Sequence, residues 1–348
     1  MSWPTRHPVI AADKKPRIII VGTGQYGLTV ARIALKKGWP IVGAVNRAGG
    51  KVGQDLGRLL GLSNDLGIVV QDCETVDYSK MRADIAVVVA TDFLETNLAN
   101  YRRIMSAGIN VVCHGTESYY PYGVNPKLAS EIDTLAQTNN VTFTGTGIWD
   151  MSRIWSGILV AAPCTELNSL FHRSVTDADR LGEALSRMLG VGLTVEEFEK
   201  QMANIFGERE GLYLTVPHQV LVALGYNVVK TTERREPVCF DEPIYSRSQQ
   251  RIIEPGLCVG FRMAVEAATE EGVTSRADIE IRVLRQGEVE HMCWTVDGAP
   301  ASKVTVERDD SVHASAASLF NRILDVIAAP PGVQEIYKLG IMKHSALL

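Results

Sequence analysis

Along the first half of the chain, apolar positions alternate between two rhythms. Residues 17–21 form a β-branched run that ends in Gly22-Thr23-Gly24-Gln25-Tyr26-Gly27, and apolar residues then recur at helical spacing over 28–37. This is strand, glycine turn, helix. The same reading predicts strands at 40–45, 67–70, 85–90, 110–113 and 141–144, with helices at 52–60, 94–107 and 127–138. Residues 85–90 are apolar without a break, which suits a strand buried on both faces of a parallel sheet. Strands and helices taking turns in this way imply βαβ units, and so a doubly wound, Rossmann-type α/β domain.

From residue 151 the pattern changes. Thr194-x-x-Glu197 has the form of a capping box opening a helix through 206, and 216–224, with Pro217 in its first turn, predicts another. Strand-like stretches follow at 226–232, 257–267, 277–284, 288–296 and 303–307, several with period-two alternation, so a second α+β domain on a mixed or antiparallel sheet is expected. An amphipathic helix at 311–328, stopped by Pro330-Pro331-Gly332, is placed to return to the first domain. The expected organisation is a loose leader (1–15), a dinucleotide-binding domain (16–150), a substrate-binding and dimerisation domain (151–310), and a C-terminal helix and tail (311–348).

Composition narrows the partners. Over 348 residues, 35 Lys plus Arg against 40 Asp plus Glu give a formal charge of −5 with no block of like charge, which excludes the basic footprint of a nucleic-acid binder. Apolar runs fall short of the ~20 residues a membrane span needs. Residues 1–15 are polar, broken by Pro4 and Pro8, and lack the apolar centre of a signal peptide, so a cytoplasmic location is expected. Cys73, Cys113, Cys164, Cys239, Cys258 and Cys293 are widely spaced, without a Cys-x-x-Cys pair or a His at ligand spacing. They are expected as buried free thiols, with no metal site.

The glycine turn carries the first chemistry. Directly after a strand and opening a helix, Gly22 permits the tight turn, Gly24 lets backbone approach a pyrophosphate, and Gly27 allows close packing of helix on strand, with Thr23, Gln25 and Tyr26 between them. At the end of the second strand stands Asn46-Arg47, where an NAD enzyme usually has a carboxylate for the ribose hydroxyls. A guanidinium there favours NADP(H), with NAD(H) still accommodated; the plain alternative is a solvated Arg47. Ala90 and Thr91 would lie along the cofactor, and Cys113, His114 and Gly115 would approach the nicotinamide. Glu117, just past a strand end and followed by Ser118-Tyr119-Tyr120-Pro121, is the candidate acid/base group. The plain alternative is a carboxylate that caps the helix that follows or faces water, and His114 is either a rival for the proton or a neutral, backbone-anchored imidazole beside the cofactor.

Several segments together resemble the family of 2,4-diaminopentanoate dehydrogenase and the related native amine dehydrogenases, itself similar to dihydrodipicolinate reductases. They are residues 21–27, 51–57 with Leu60-Gly61, Asn110-Val111-Val112-Cys113-His114-Gly115-Thr116-Glu117 with Tyr120-Pro121, Gly145-Thr146-Gly147, 217–225, Glu236-Pro237, 256–261, and Asn321-Arg322-Ile323 with Pro331-Gly332. The resemblance implies NAD(P)H-dependent reductive amination of a carbonyl with ammonia, or the reverse deamination of an amine, and it gives Glu117 the acid/base role. A homodimer joined through the second sheet is expected.

One segment departs from the pattern. Where the diaminopentanoate enzymes have a stretch like Gly-Thr-Gly-Val-Asn-Pro-Gly-Phe, this chain continues from Gly147 to Ile148-Trp149-Asp150-Met151-Ser152-Arg153-Ile154-Trp155. Trp149 and Trp155 as substrate contacts would suit a compact apolar ketone, aldehyde or amine, whereas Arg153 as a carboxylate partner keeps a diamino acid open. His172-Arg173, Thr176-Asp177, Tyr213 and His218 are further candidates for the pocket, with a core histidine or a solvated aspartate as the plain alternative for each. The rival readings are an imine reductase of the dihydrodipicolinate type, which would not use ammonia, and an NADP(H)-sensing protein without turnover.

Overall fold

The computed structural model describes residues 15–206 and 214–344. Most of the expected leader and Tyr213 lie outside these residues. The described chain divides into two compact units, one running to Met151 and resuming at Val312, the other spanning Ser152–Ser311.

The first unit is built on a seven-stranded parallel sheet. Its strands are β1 (Ile18–Val21), β2 (Ile41–Asn46), β3 (Val70–Asp72), β4 (Ile85–Val88), β5 (Asn110–Cys113), β6 (Thr142–Gly145) and a two-residue strand, Gly332–Val333. From one edge to the other the order is Gly332–Val333, β6, β5, β4, β1, β2, β3, so the winding reverses between β1 and β4. That reversal opens the crevice in which doubly wound sheets take ligands. The connecting helices are α1 (Gln25–Lys36), α2 (Leu56–Leu59), α3 (Leu94–Ser106), α4 (Pro121–Val124) and α5 (Pro126–Thr138).

Alternation along each strand sends neighbours to opposite faces, and both faces are apolar. Ile19, Val21, Ala86, Val88 and Phe143 pack with Leu98, Tyr101 and Ile104 of α3 and Ile132 of α5. Ile18, Ile20, Ala44, Ile85 and Val87 pack with Val30, Ala31 and Ala34 of α1 and with Leu319, Phe320 and Ile323 of the helix Ser311–Ala328. Each fully buried aliphatic side chain contributes about 1.5–3 kcal/mol, which explains why strands so short hold their places.

The second unit is built on a six-stranded sheet in the order β14, β13, β7, β12, β11, β8. Its strands are β7 (Glu166–Asp177), β8 (Val228–Cys239), β11 (Cys258–Thr269), β12 (Thr274–Arg282), β13 (Glu290–Ala299) and β14 (Ser302–Arg308); a small hairpin of β9 (Ile244–Ser246) and β10 (Arg251–Ile253) stands apart. Only β7 and β12 run parallel, so the sheet is mixed. The capping box is present: Glu197 N–H donates to Thr194 Oγ1 at 3.2 Å, and Thr194 N–H to Glu197 Oε2 at 2.9 Å.

Some element boundaries differ from expectation for local reasons. The helix expected over 52–60 shrinks to α2, because Gly53 takes a left-handed φ of +86° and the Asp55 carboxylate accepts the N–H groups of Gly57, Leu66 and Ile68. β8 runs on through the charged stretch after Thr232, since β11 pairs with it that far and Arg262 meets Glu236 across the strands. Residues 150–155 form a π-helix before the helix Ser156–Ala161. All six cysteines are free, but Cys239 is exposed and Cys164 and Cys293 are half-buried, which corrects the expectation of uniform burial.

One buried ion pair fastens the returning C-terminal helix to the sheet. Arg322 donates to both oxygens of Asp150, at 2.7 and 2.9 Å, with both side chains fully buried. Thr146 Oγ1 donates to the same carboxylate at 2.8 Å, and Arg322 also reaches Asp325 and the Gly340 carbonyl. Burial pulls the guanidinium pKa down, yet Asp150 and Asp325 lift it above its ordinary value, so the arginine keeps its charge. Removing Arg322 leaves the buried Asp150 carboxylate without its cation, and burial already pushes that carboxyl's pKa up. Arg322→Ala should therefore lower unfolding free energy by about 3–5 kcal/mol, read from the denaturant midpoint; a loss under about 1 kcal/mol would contradict this role.

Candidate active site

The site is assembled at the carboxyl edge of the first unit's sheet. After β1 the chain turns at Gly22, whose φ is +102°, and a Cβ there would stand 2.7 Å from the Val89 carbonyl oxygen. A Cβ on Gly27 would collide with the Gly22 carbonyl, so strand and helix touch through bare backbone. At Gly24 the situation is the reverse: nothing lies within 4 Å of the added atom. Gly24 is the N-cap of α1, no side chain caps the helix, and its first turn holds no acidic residue. The Thr23 hydroxyl beside it is buried and unpaired. An open helix N-terminus with an orphaned hydroxyl at its side fits the pyrophosphate of a dinucleotide.

Around this turn the other candidates take their places. Asn46 ends β2 half-buried, and Arg47 is exposed. Lys51, which opens the 51–57 segment and carries no site role in the sequence pattern, donates from Nζ to the Thr23 carbonyl at 2.6 Å. Ala90 and Thr91 follow the end of β4, and Asn97 of α3 donates to the Thr91 carbonyl at 3.1 Å.

Beyond β5, hydrogen bonds knit two loops together. Thr116 donates from both N–H and Oγ1 to Asp92 Oδ1, at 3.1 and 2.7 Å, and Glu117 N–H donates to the Asp92 carbonyl at 3.0 Å. Cys113 is fully buried, with Tyr101 Oη 2.9 Å from its sulfur, and burial pushes the thiol pKa up. Cys113 therefore packs beneath the site as an inert thiol. A Cβ on Gly115 would come within 2.6 Å of the Thr91 carbonyl oxygen, so only glycine lets the loops close.

Glu117 is half-buried, and its Oε2 accepts the Leu94 N–H at 2.7 Å. Leu94 is the first residue of α3, and the Phe93 side chain leaves that helix uncapped. The carboxylate thus caps the helix before it in sequence, rather than the following one suggested as the alternative.

An aromatic row lines the neighbouring edge. Tyr26 lies on His114 with ring centroids 4.5 Å apart, His114 meets Tyr119 edge-on at 6.3 Å, and Tyr119 packs on Trp149 at 4.8 Å. Burial pushes the His114 imidazole below its ordinary pKa against the pull of Asp92, and its Nε2 is buried without a partner. Gly147, with φ at +158°, leaves the room that Tyr119 and His114 occupy. Trp149 and Trp155 are each 7% exposed, Trp149 in the first unit and Trp155 in the second.

In the second unit Arg153 is buried, donating from Nη2 to Ser174 Oγ at 3.2 Å while its carbonyl accepts Trp294 Nε1 at 2.7 Å. His172 is fully buried against Trp294, and burial holds it well below its usual pKa. His218 Nδ1 lies 3.3 Å from Thr231 Oγ1. Among the described residues, no group of three or more His, Cys, Asp or Glu is placed to hold a metal ion.

Fold and glycine turn together define a Rossmann-type, dinucleotide-binding architecture. The C-terminal-domain model of 2,4-diaminopentanoate dehydrogenase matches residues 157–346, and the chain belongs to that family. The 2,4-diaminopentanoate dehydrogenase of Acetoanaerobium sticklandii is 31% identical over 247 residues, a stretch covering 66% of this chain and 65% of that protein, so just under two thirds of the relative is spanned. The structure of an amine dehydrogenase from Mycobacterium smegmatis matches with a TM-score of 0.86 at 29% identity, over 96% of this chain and 98% of that one. An oxidoreductase from Agrobacterium radiobacter, solved with NAD+, L-tartaric acid and magnesium, shares the fold at a TM-score of 0.56 and 10% identity, over 94% and 93% of the two chains.

The two helix glycines should respond oppositely to a methyl group. Gly24→Ala should change stability by less than about 1 kcal/mol but weaken dinucleotide binding, whereas Gly27→Ala should cost about 1–3 kcal/mol by overpacking. Thermal unfolding with nucleotide titration checks both; equal effects on stability would contradict the assigned roles.

Proposed function

We propose that the chain is an NAD(P)(H)-dependent amine dehydrogenase that converts a small ketone or aldehyde and ammonia to an amine, and runs the reverse oxidative deamination. The observation that carries this reading is the Glu117 carboxylate, anchored through Oε2 to the first amide of α3 beside the sheet's carboxyl edge. A carboxylate held in place can take a proton from a substrate ammonium, which frees the nitrogen lone pair to drive carbon–nitrogen double-bond formation. The same negative charge stabilises the cationic iminium and orients the water or ammonia that adds to it. Nicotinamide, when bound, supplies or accepts the hydride. His114, kept below its ordinary pKa by burial, suits a hydrogen-bonding role, and this favours Glu117 as the group that moves the proton.

Finer features extend the reading. Gly22 to Gly27 would cradle the pyrophosphate, with Ala90, Thr91, His114 and Gly115 along the cofactor. NADP(H) is the preferred form, since Asn46 brings no carboxylate to repel a phosphate and Arg47 offers an exposed guanidinium. Trp149, at the end of the aromatic row, favours a compact apolar substrate. A diamino acid is the second reading, because the family includes 2,4-diaminopentanoate dehydrogenase. The active species is a homodimer joined through the second sheet.

Glu117→Gln should lower kcat/KM by about 10²- to 10⁴-fold while nucleotide affinity holds. With a short ketone, NADPH consumption should require ammonium; undiminished turnover by Glu117→Gln, or full turnover without ammonium, would overturn the proposal, the second outcome favouring an imine reductase. Arg47→Asp should invert the ratio of NADP to NAD turnover, and an unchanged ratio would remove Arg47 from phosphate recognition.

A further inference from the structure

The turn after β2 brings a second cation to the phosphate loop. Lys51 Nζ donates to the carbonyl oxygen of Thr23 at 2.6 Å, and Thr23 stands between the first two glycines of the turn. The segment carrying Lys51 is fixed by its own backbone: Val52 N–H donates to the Gly49 carbonyl at 3.1 Å, Gln54 N–H to the Lys51 carbonyl at 3.2 Å, and Gly53 N–H to the Val70 carbonyl at 2.9 Å. A lysine normally loses side-chain freedom when it binds an anion, and one already docked loses less.

The acids of the flanking segments accept backbone amides, and no ion pair of either with Lys51 is present among the described residues. Asp55 accepts three backbone N–H groups at 2.7, 2.8 and 2.9 Å. Asp72, which pairs in register with Asn46, accepts the Glu74 N–H at 3.0 Å. Lys51 has three N–H donors, of which the Thr23 carbonyl engages one. The ammonium is therefore set on the glycine turn, one residue before the open N-terminus of α1, and it is carried by the segment that follows β2, the strand after which a dinucleotide fold recognises the adenosine ribose.

We propose that Lys51 is a further specificity residue for NADP(H), recognising the phosphate on the ribose 2′-oxygen together with the exposed Arg47. The proposal rests on the reading of the first unit as an NADP(H) site. A dianionic phosphate gains charge-assisted hydrogen bonds from the docked ammonium, whereas the 2′-hydroxyl of NAD(H) offers it no countercharge. Replacement of Lys51 therefore penalises the phosphorylated nucleotide selectively. A lysine that only braced the turn would, on replacement, penalise both nucleotides alike.

Calorimetric titration with 2′,5′-ADP and with 5′-AMP separates these roles without any turnover. The unaltered protein should bind 2′,5′-ADP more tightly. Lys51→Ala should weaken 2′,5′-ADP by about tenfold or more and leave 5′-AMP within about twofold, and Lys51→Arg should recover most of the loss. Equal losses for the two ligands, or no loss for either, would overturn the proposal even with the cofactor site intact. If the unaltered protein bound neither ligand, the cofactor reading itself would fall, and this assignment with it.

Discussion

Each strand of a parallel sheet that ends at the carboxyl edge hands the chain to a helix whose first amides have no partner within the helix. Three such ends meet this constraint differently here. Asp55 caps α2 from its own N-cap position. Glu117 caps α3 from a loop that follows a different strand. α1 receives no side-chain cap, and its N-cap glycine faces open space. The helix left open is the one that can take a phosphate, and the helix closed by a distant carboxylate fixes the group proposed to carry the proton. The proposed binding and chemistry both rest on how two neighbouring sets of backbone amides are satisfied.

This arrangement depends on loops that cannot drift. Thr116 and Glu117 are bound to Asp92, Gly115 is pressed against Thr91, and Cys113 sits under them with Tyr101 on its sulfur. Thr146 and Arg322 hold Asp150, which begins the turn after Trp149. The buried ion pair therefore serves two ends at once, closing the C-terminal helix onto the sheet and fixing the chain next to the aromatic row. A short apolar core under the strands supplies the rigidity, and the polar bonds above it set positions.

Much of this was legible in the residues. Uninterrupted β-branched runs such as Ile18–Val21 mark buried strands, and the spacing of Gly22, Gly24 and Gly27 marks the turn that opens α1. Glu117 could be found by its place after a strand end, but its partner could not. Leu94 lies across a loop from another strand, and their meeting depends on β4 and β5 being neighbours, which no local pattern encodes. Lys51 was hidden for the same reason, because its target carbonyl belongs to the turn after β1. Periodicity also over-extended α2, where one left-handed glycine and an aspartate side chain outcompete helical spacing.

The central claim is that the Glu117 carboxylate, held by the amino end of α3, faces the carbon that exchanges hydride. A crystal structure with NADP+ and a bound amine tests it most directly. The account predicts one carboxylate oxygen still on the Leu94 amide and the group within hydrogen-bond reach, about 2.6–3.2 Å, of the amine nitrogen. A carboxylate turned into bulk water, or separated from that nitrogen by an intervening side chain, would contradict it.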